Sequence, residues 1–207
     1  MSENNPPLSP QAEDAALHHP NDVGFKTVFQ NEDAALEYLK EFCPDLVAHL
    51  DLQVFHLDTT AYVNQQFEEY FSDVVYRTQL KEPPAKEGSS KKTASKKKHS
   101  AAVVLLFEHK KSIRSYFLMF LQLLEYIIFI WRQDMSNKKK PSLVIPIVVY
   151  QGKKGLQVKE FKDCFKGIPE ELYKYIPNFA VHWTNIHPLS NKRLLGLNEK
   201  GLLRSLF

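Results

Sequence analysis

The run Ala101–Lys110 (AAVVLLFEHK) constrains this chain more than any other segment. Seven consecutive apolar residues leave no side for solvent, so a strand built from them has to be covered on both faces. That requirement excludes an open sheet with one wet face and calls for helices packed above and below a sheet. Leu143–Tyr150 (LVIPIVVY) repeats the pattern. Pro146 interrupts it and predicts either a bulge or a ladder position that faces no donor. Between these runs lies Ser115–Trp131 (SYFLMFLQLLEYIIFIW). It is short for a membrane span, which takes about 20 residues. Gln122 and Glu125 also break its middle. It reads as a buried helix over 115–133, and its two polar residues become the ones to explain.

The remaining elements follow from local signals. Asn31 is placed to cap a helix over 32–42, with Ala35, Leu36, Leu39 and Phe42 at helical spacing and Pro44 ending it. Leu52–Leu57 and Tyr70–Leu80 (YFSDVVYRTQL) read as strands, and Phe179–Thr184 as a last short one. Leu156–Pro177 reads as mixed helix and loop. Glu82–His99 holds six lysines among Pro, Ser and Gly and reads as a mobile loop. The expected class is α/β, in the order α-β-β-β-α-β with a further strand, around a mixed sheet flanked by helices. Residues 1–20 read as a disordered tail, 21–187 as the domain, and 188–207 as a helical C-terminal tail.

Composition narrows the function classes. Cys43 and Cys164 are the only cysteines, so a disulfide scaffold and a four-cysteine zinc site are excluded. Such usage suits a reducing cytoplasm, and the polar, acidic N-terminus has no signal-peptide pattern. The net charge of +3 hides an asymmetry: residues 1–80 carry 3 Lys/Arg and 14 Asp/Glu, and residues 81–207 carry 24 and 10. The split suits a basic face for a polyanion beside acidic groups for a metal, although solvated charged faces give the same totals. Cys164, His182 and His187 are scattered, and His18 and His19 lack partner spacing.

Three polar residues stand where strand core is expected. Asp73 lies in YFSDVVY, and Glu108 and Lys110 close the apolar run. Residues two apart on a strand share a face, so Glu108 and Lys110 project together with His109 opposite. Excising the 82–99 loop leaves Asp73 and Glu108 at a separation that fits neighbouring antiparallel strands. Two carboxylates so placed can hold a hard divalent cation through oxygen. A lysine on the same face can orient or deprotonate an attacking water. A Glu–Lys ion pair at a strand end is the structural alternative. Gln122 and Tyr126 are four apart and share a helical face, from which Gln122 can reach the lysine or a nucleic-acid backbone. Alternatively, Gln122 satisfies a backbone group and Tyr126 is core.

The segments FSDVVY, LLFEHKKS, LQLLEYIIFIW and LVIPIVVYQGKKG, in this order, resemble the recombination-promoting nuclease (Rpn) family of the PD-(D/E)XK nuclease superfamily. DVGFKTVFQNEDAALEYLKEFCPDL, from Asp22, is similar to that family's opening motif. The resemblance covers roughly residues 20–185. It implies a restriction-endonuclease-like αβββαβ core and a Mg²⁺- or Mn²⁺-dependent DNA endonuclease linked to recombination or mobile-element DNA processing. It places the metal-binding Asp on Asp73, the strand-end Glu on Glu108 and the catalytic third position on Lys110, where many relatives carry Gln. Lys111 displaces the family's following Ser. The loop is also longer and richer in lysine than usual, and relatives run on beyond residue 207 through a helical region. The expected site is therefore Asp73, Glu108, Lys110 and Gln122, with the metal on Asp73 and Glu108. Lys91, Lys92, Lys96, Lys97, Lys98 and Lys111 are expected on DNA phosphates. DNA is the expected partner, with no membrane contact, a cytoplasmic location and homodimerisation left open. The alternatives are an inactive nucleic-acid-binding domain of the same fold and a soluble interaction module.

Overall fold

A computed structural model describes the backbone of residues 20–58, 74–81, 102–152 and 155–186, with side chains from Phe25 onward. Asp73, the 82–99 loop with its lysines, and the tails 1–19 and 188–207 lie outside the described residues. Within them the helices are α1 (Pro20–Phe29), α2 (Glu32–Phe42), the single turn α3 (Pro44–Val47) and α4 (Tyr116–Ser136). The strands are β1 (Leu50–Leu57), β2 (Val74–Leu80), β3 (Ala102–Lys110), β4 (Leu143–Tyr150) and β5 (His182–Asn185). Two 3₁₀ turns, Phe161–Cys164 and Glu170–Tyr175, occupy the stretch expected to be mixed.

The sheet is mixed and five-stranded, in the order β1-β2-β3-β4-β5. The first three strands are antiparallel neighbours, and β4 and β5 run parallel to β3 and to each other. The parallel step from β3 to β4 needs a long crossover, and α4 supplies it. Pro146 makes no bulge. It pairs with Leu106 in an unbroken β3–β4 register, and β5 begins to pair only at Ile147. A ring nitrogen turned toward that open flank has no ladder bond to lose.

Both faces of β3 are covered, as its sequence requires. Val103, Leu105 and Phe107 pack with α1 and α2 through Phe25, Phe29, Tyr38 and Leu39. Val104 and Leu106 pack with Met119, Phe120, Leu123, Tyr126 and Ile130 of α4. Burying one such side chain contributes about 1.5–3 kcal/mol, so this strand is the mechanical centre of the molecule.

Asn31 caps α2 as expected, accepting the Ala34 N–H at 3.1 Å. Pro44 does more than end that helix, because it stands first in α3, where its missing N–H costs nothing. The last strand is shifted to His182–Asn185. Helix α1 departs most from the sequence reading, which assigned no element there. Gly24, Val23 and Thr27 are weak helix formers. Phe25, Val28 and Phe29 hold the segment from outside by packing into the core, and the Phe29 carbonyl accepts the Tyr76 hydroxyl at 2.7 Å. None of the described helices is long and apolar enough to cross a membrane.

Candidate active site

Alternation along β3 decides which residues meet. Even-numbered positions face α4 and odd-numbered ones face α1 and α2. Glu108 and Lys110 therefore project toward α4, and His109 points the other way. There His109 stacks on Phe25 with ring centroids 4.7 Å apart, and its Nε2 lies 3.2 Å from Gln151 Oε1. Phe25 thus braces the back of the strand whose front carries the acid and the lysine.

Glu108 is only 1% exposed. Its Oε1 is ion-paired with Lys110 Nζ. Its Oε2 is buried and has no hydrogen-bond partner among the described residues. A buried carboxylate oxygen left unmatched costs free energy, and a hydrogen-bond donor or a cation placed against it would remove that cost. Lys110 is half-buried, and its ammonium donates to Gln122 Oε1 at 3.2 Å. The structure therefore joins Glu108, Lys110 and Gln122, from the end of one strand and the first half of one helix.

The neighbouring polar residues of α4 part company. Tyr126 is buried with the core under the helix, whereas Glu125 is exposed. Asp22 falls within α1, but its side chain lies outside what is described. Lys111 is half-buried at the end of β3. Beside it runs the exit of β4, where the Gln151 N–H donates to the Lys110 carbonyl at 2.8 Å. A Cβ on Gly152 would collide with the Tyr150 side chain and the Lys111 carbonyl. Gly152 lets the two strand ends converge, and Gln151 steadies His109. The sequence reading treated both only as part of a turn.

Among the described residues, no three His, Cys, Asp or Glu side chains form a metal cluster. Glu108 Oε2 is nonetheless a hard oxygen donor without a partner, the donor type that Mg²⁺ takes. The β2–β3 pairing is described as far as Val74↔Phe107, one residue short of Glu108. Neither cysteine is chemically poised. Burial pushes the Cys43 thiol up to about 12, and Cys164 is also raised, mainly by burial.

A second buried ionic group escaped the sequence reading. Arg77 of β2 reaches Asp58 with Nε at 2.5 Å and Asp134 with Nη1 at 3.2 Å. Asp134, 1% exposed on α4, uses its other oxygen to accept the Ser142 N–H at 2.9 Å. The group ties the end of β1, the middle of β2, the end of α4 and the approach to β4. A single Arg in YRTQL and an Asp near a helix end carry no spacing signal, so only the fold reveals it.

A model of the family described as "Putative transposase, YhgA-like" matches residues 19–88 and 91–204 of the chain. No solved structure matches it.

Proposed function

The chain belongs to the YhgA-like putative transposase family, and from that premise we propose that it is a metal-dependent DNA endonuclease of the PD-(D/E)XK type acting in mobile-element or recombination-linked DNA processing. The observation that carries the reading is Glu108, a buried carboxylate with one oxygen held by Lys110 and the other unmatched among the described residues. The element order α2-β1-β2-β3-α4-β4, with β4 parallel to β3, supports a restriction-endonuclease-like core.

In this reading Glu108 and Asp73 hold the cation. The β2–β3 register at Val74↔Phe107, immediately adjacent, supports pairing those two positions across the strands. A bound Mg²⁺ or Mn²⁺ supplies charge stabilisation at the phosphoryl oxygen and acidifies water. Lys110, paired with Glu108 and aimed by Gln122, orients the attacking water and offers positive charge beside the scissile phosphate. Lys91, Lys92, Lys96, Lys97, Lys98 and Lys111 contribute phosphate contacts that position DNA without reading its sequence.

A soluble interaction module would also show the Glu108–Lys110 ion pair. It would not need a buried carboxylate oxygen left unmatched among the described residues. The test is plasmid nicking by purified protein with Mg²⁺, Mn²⁺ or chelator, for wild type, Asp73→Asn and Glu108→Gln. Cleavage that needs metal and is lost in both variants is expected. Equal cleavage by all three proteins refutes the assignment.

A further inference from the structure

Lys159 is a cation that neither ionic group accounts for. It is half-buried, and its ammonium lies 4.6 Å from the centroid of the Tyr116 ring. The carboxylates nearest in sequence are engaged elsewhere. Glu160 pairs with Lys162 at 2.7 Å, and Asp163 accepts the Glu160 N–H at 2.8 Å. Lys159 has neither a carboxylate partner nor a hydrogen-bond acceptor among the described residues.

The chain on either side of this lysine is pinned to α4. Two residues earlier, the Gln157 carbonyl accepts the Tyr116 hydroxyl at 2.6 Å. Two residues later, Phe161 is buried against Phe120, ring centroids 5.5 Å apart. The Tyr116 ring also packs near Trp183 of β5, at 6.1 Å. A lysine held on the face of a fixed ring has less rotamer freedom to lose on meeting an anion than one in a long polar loop.

Tyr116 also sets where the cation stands. It opens α4 six residues before Gln122, about 9 Å along the helix, and Gln122 accepts from Lys110. On the sheet, Tyr150 is the register partner of Lys110 and lies on the α4-facing side with Val148. Burial raises the Tyr116 hydroxyl, and nearby Tyr150 adds to the rise. Lys159 therefore belongs to the Glu108 end of the sheet. At about 3.4 Å of rise per nucleotide on one strand, an offset of 9 Å is about three nucleotides. A phosphate at Glu108 and Lys110 brings its neighbours along the strand to that distance.

We propose that Lys159, seated on Tyr116, is a DNA-binding residue that holds a backbone phosphate flanking the scissile one. The contact rests on the unpaired ammonium, and its place beside a scissile phosphate rests on the nuclease reading.

The experiment is binding of the full chain to a fluorescent duplex in chelator, titrated with salt, with thermal melts to confirm that each variant folds. K159A should weaken binding about threefold to tenfold and flatten the slope of log affinity against log salt by about 0.9. K159R keeps the charge and should restore the slope and most of the affinity. Y116L keeps the lysine but removes its seat, and should weaken binding about twofold to threefold with the slope nearly unchanged. K162A is the control, since it removes the same charge three residues away from a lysine already paired with Glu160. Its slope should change by about half as much or less. A wild type that does not bind duplex DNA overturns the proposal, as do equal slopes for K159A and K162A. Plasmid nicking in Mg²⁺ separates the two readings. There K159A should raise KM with kcat nearly unchanged, because a flanking contact is the same before and during cleavage. Metal-dependent nicking with no effect of K159A on binding refutes the phosphate contact alone. An effect of K159A on binding without any nicking supports the contact and refutes the nuclease reading alone.

Discussion

Two ionic groups lie on the α4 face of the same sheet, and they are built to opposite rules. In the Arg77–Asp58–Asp134 group, Arg77 bridges two carboxylates and Asp134 turns its second oxygen to a backbone N–H. In the Glu108–Lys110–Gln122 group the buried carboxylate keeps one oxygen without a partner among the described residues. Two carboxylates shared by one guanidinium and a backbone donor lock four segments of chain together. A matched lysine beside an unmatched oxygen wastes stability unless something binds there. Burial alone therefore does not separate function from structure, since Asp134 and Glu108 are both 1% exposed. The separation comes from counting the partners of each oxygen.

Glu108→Gln tests the contrast at its widest. Metal-dependent cleavage should fall to background, while the urea midpoint stays equal to or above wild type, because a costly buried charge has been removed. A large loss of stability would place Glu108 in the same structural class as Asp134 and break the comparison. Lys110→Ala should lower the single-turnover cleavage rate by roughly 10²–10⁴, the range for a positioned acid–base group. Gln122→Leu should cost less, about tenfold, since it removes the aim of Lys110 and not its charge.

At the other group the signs reverse. Arg77→Ala strands two buried carboxylates and should cost about 3–5 kcal/mol in urea unfolding. At saturating metal the protein that remains folded should still cleave DNA.

The opposite face of the sheet sharpens the contrast further, because its burial is neutral. Cys43, fully buried under α2, is held up to about 12 from an ordinary value of 9.0. Below the lower value both folded and unfolded chains keep the proton, and stability does not change. Between the two, the unfolded chain loses a proton that the folded chain retains. Stability then falls as pH rises, by about 1.4 kcal/mol per pH step from this group. Urea midpoints from pH 8 to 11 should therefore drop more steeply for wild type than for Cys43→Ala. Equal slopes would show that Cys43 titrates normally.

Much of this architecture was legible because it depended on local pattern. The continuous apolar runs required two covered faces, and β3 and β4 appear where they were read, with β3 described from Ala102. Asn31 capped its helix because an N-cap needs only a side-chain oxygen and three following residues. Period-two alternation put Glu108 and Lys110 on one side and His109 on the other before any fold was known. Four-residue spacing likewise put Gln122 and Tyr126 on one face of α4.

Other features could not be read this way, because their causes lie far away in sequence. Weak helix formers in α1 become helical because Phe25 and Phe29 have β3 and Tyr76 to pack on. The Arg77 group draws on residues 19 and 57 positions away, and no window of sequence spans that distance. The sequence by itself determined which side chains share a face, since backbone geometry fixes a period of two or nearly four. Only the tertiary structure decided which of those faces meet and which polar atoms go unmatched, because hydrogen-bond satisfaction depends on contacts between distant segments.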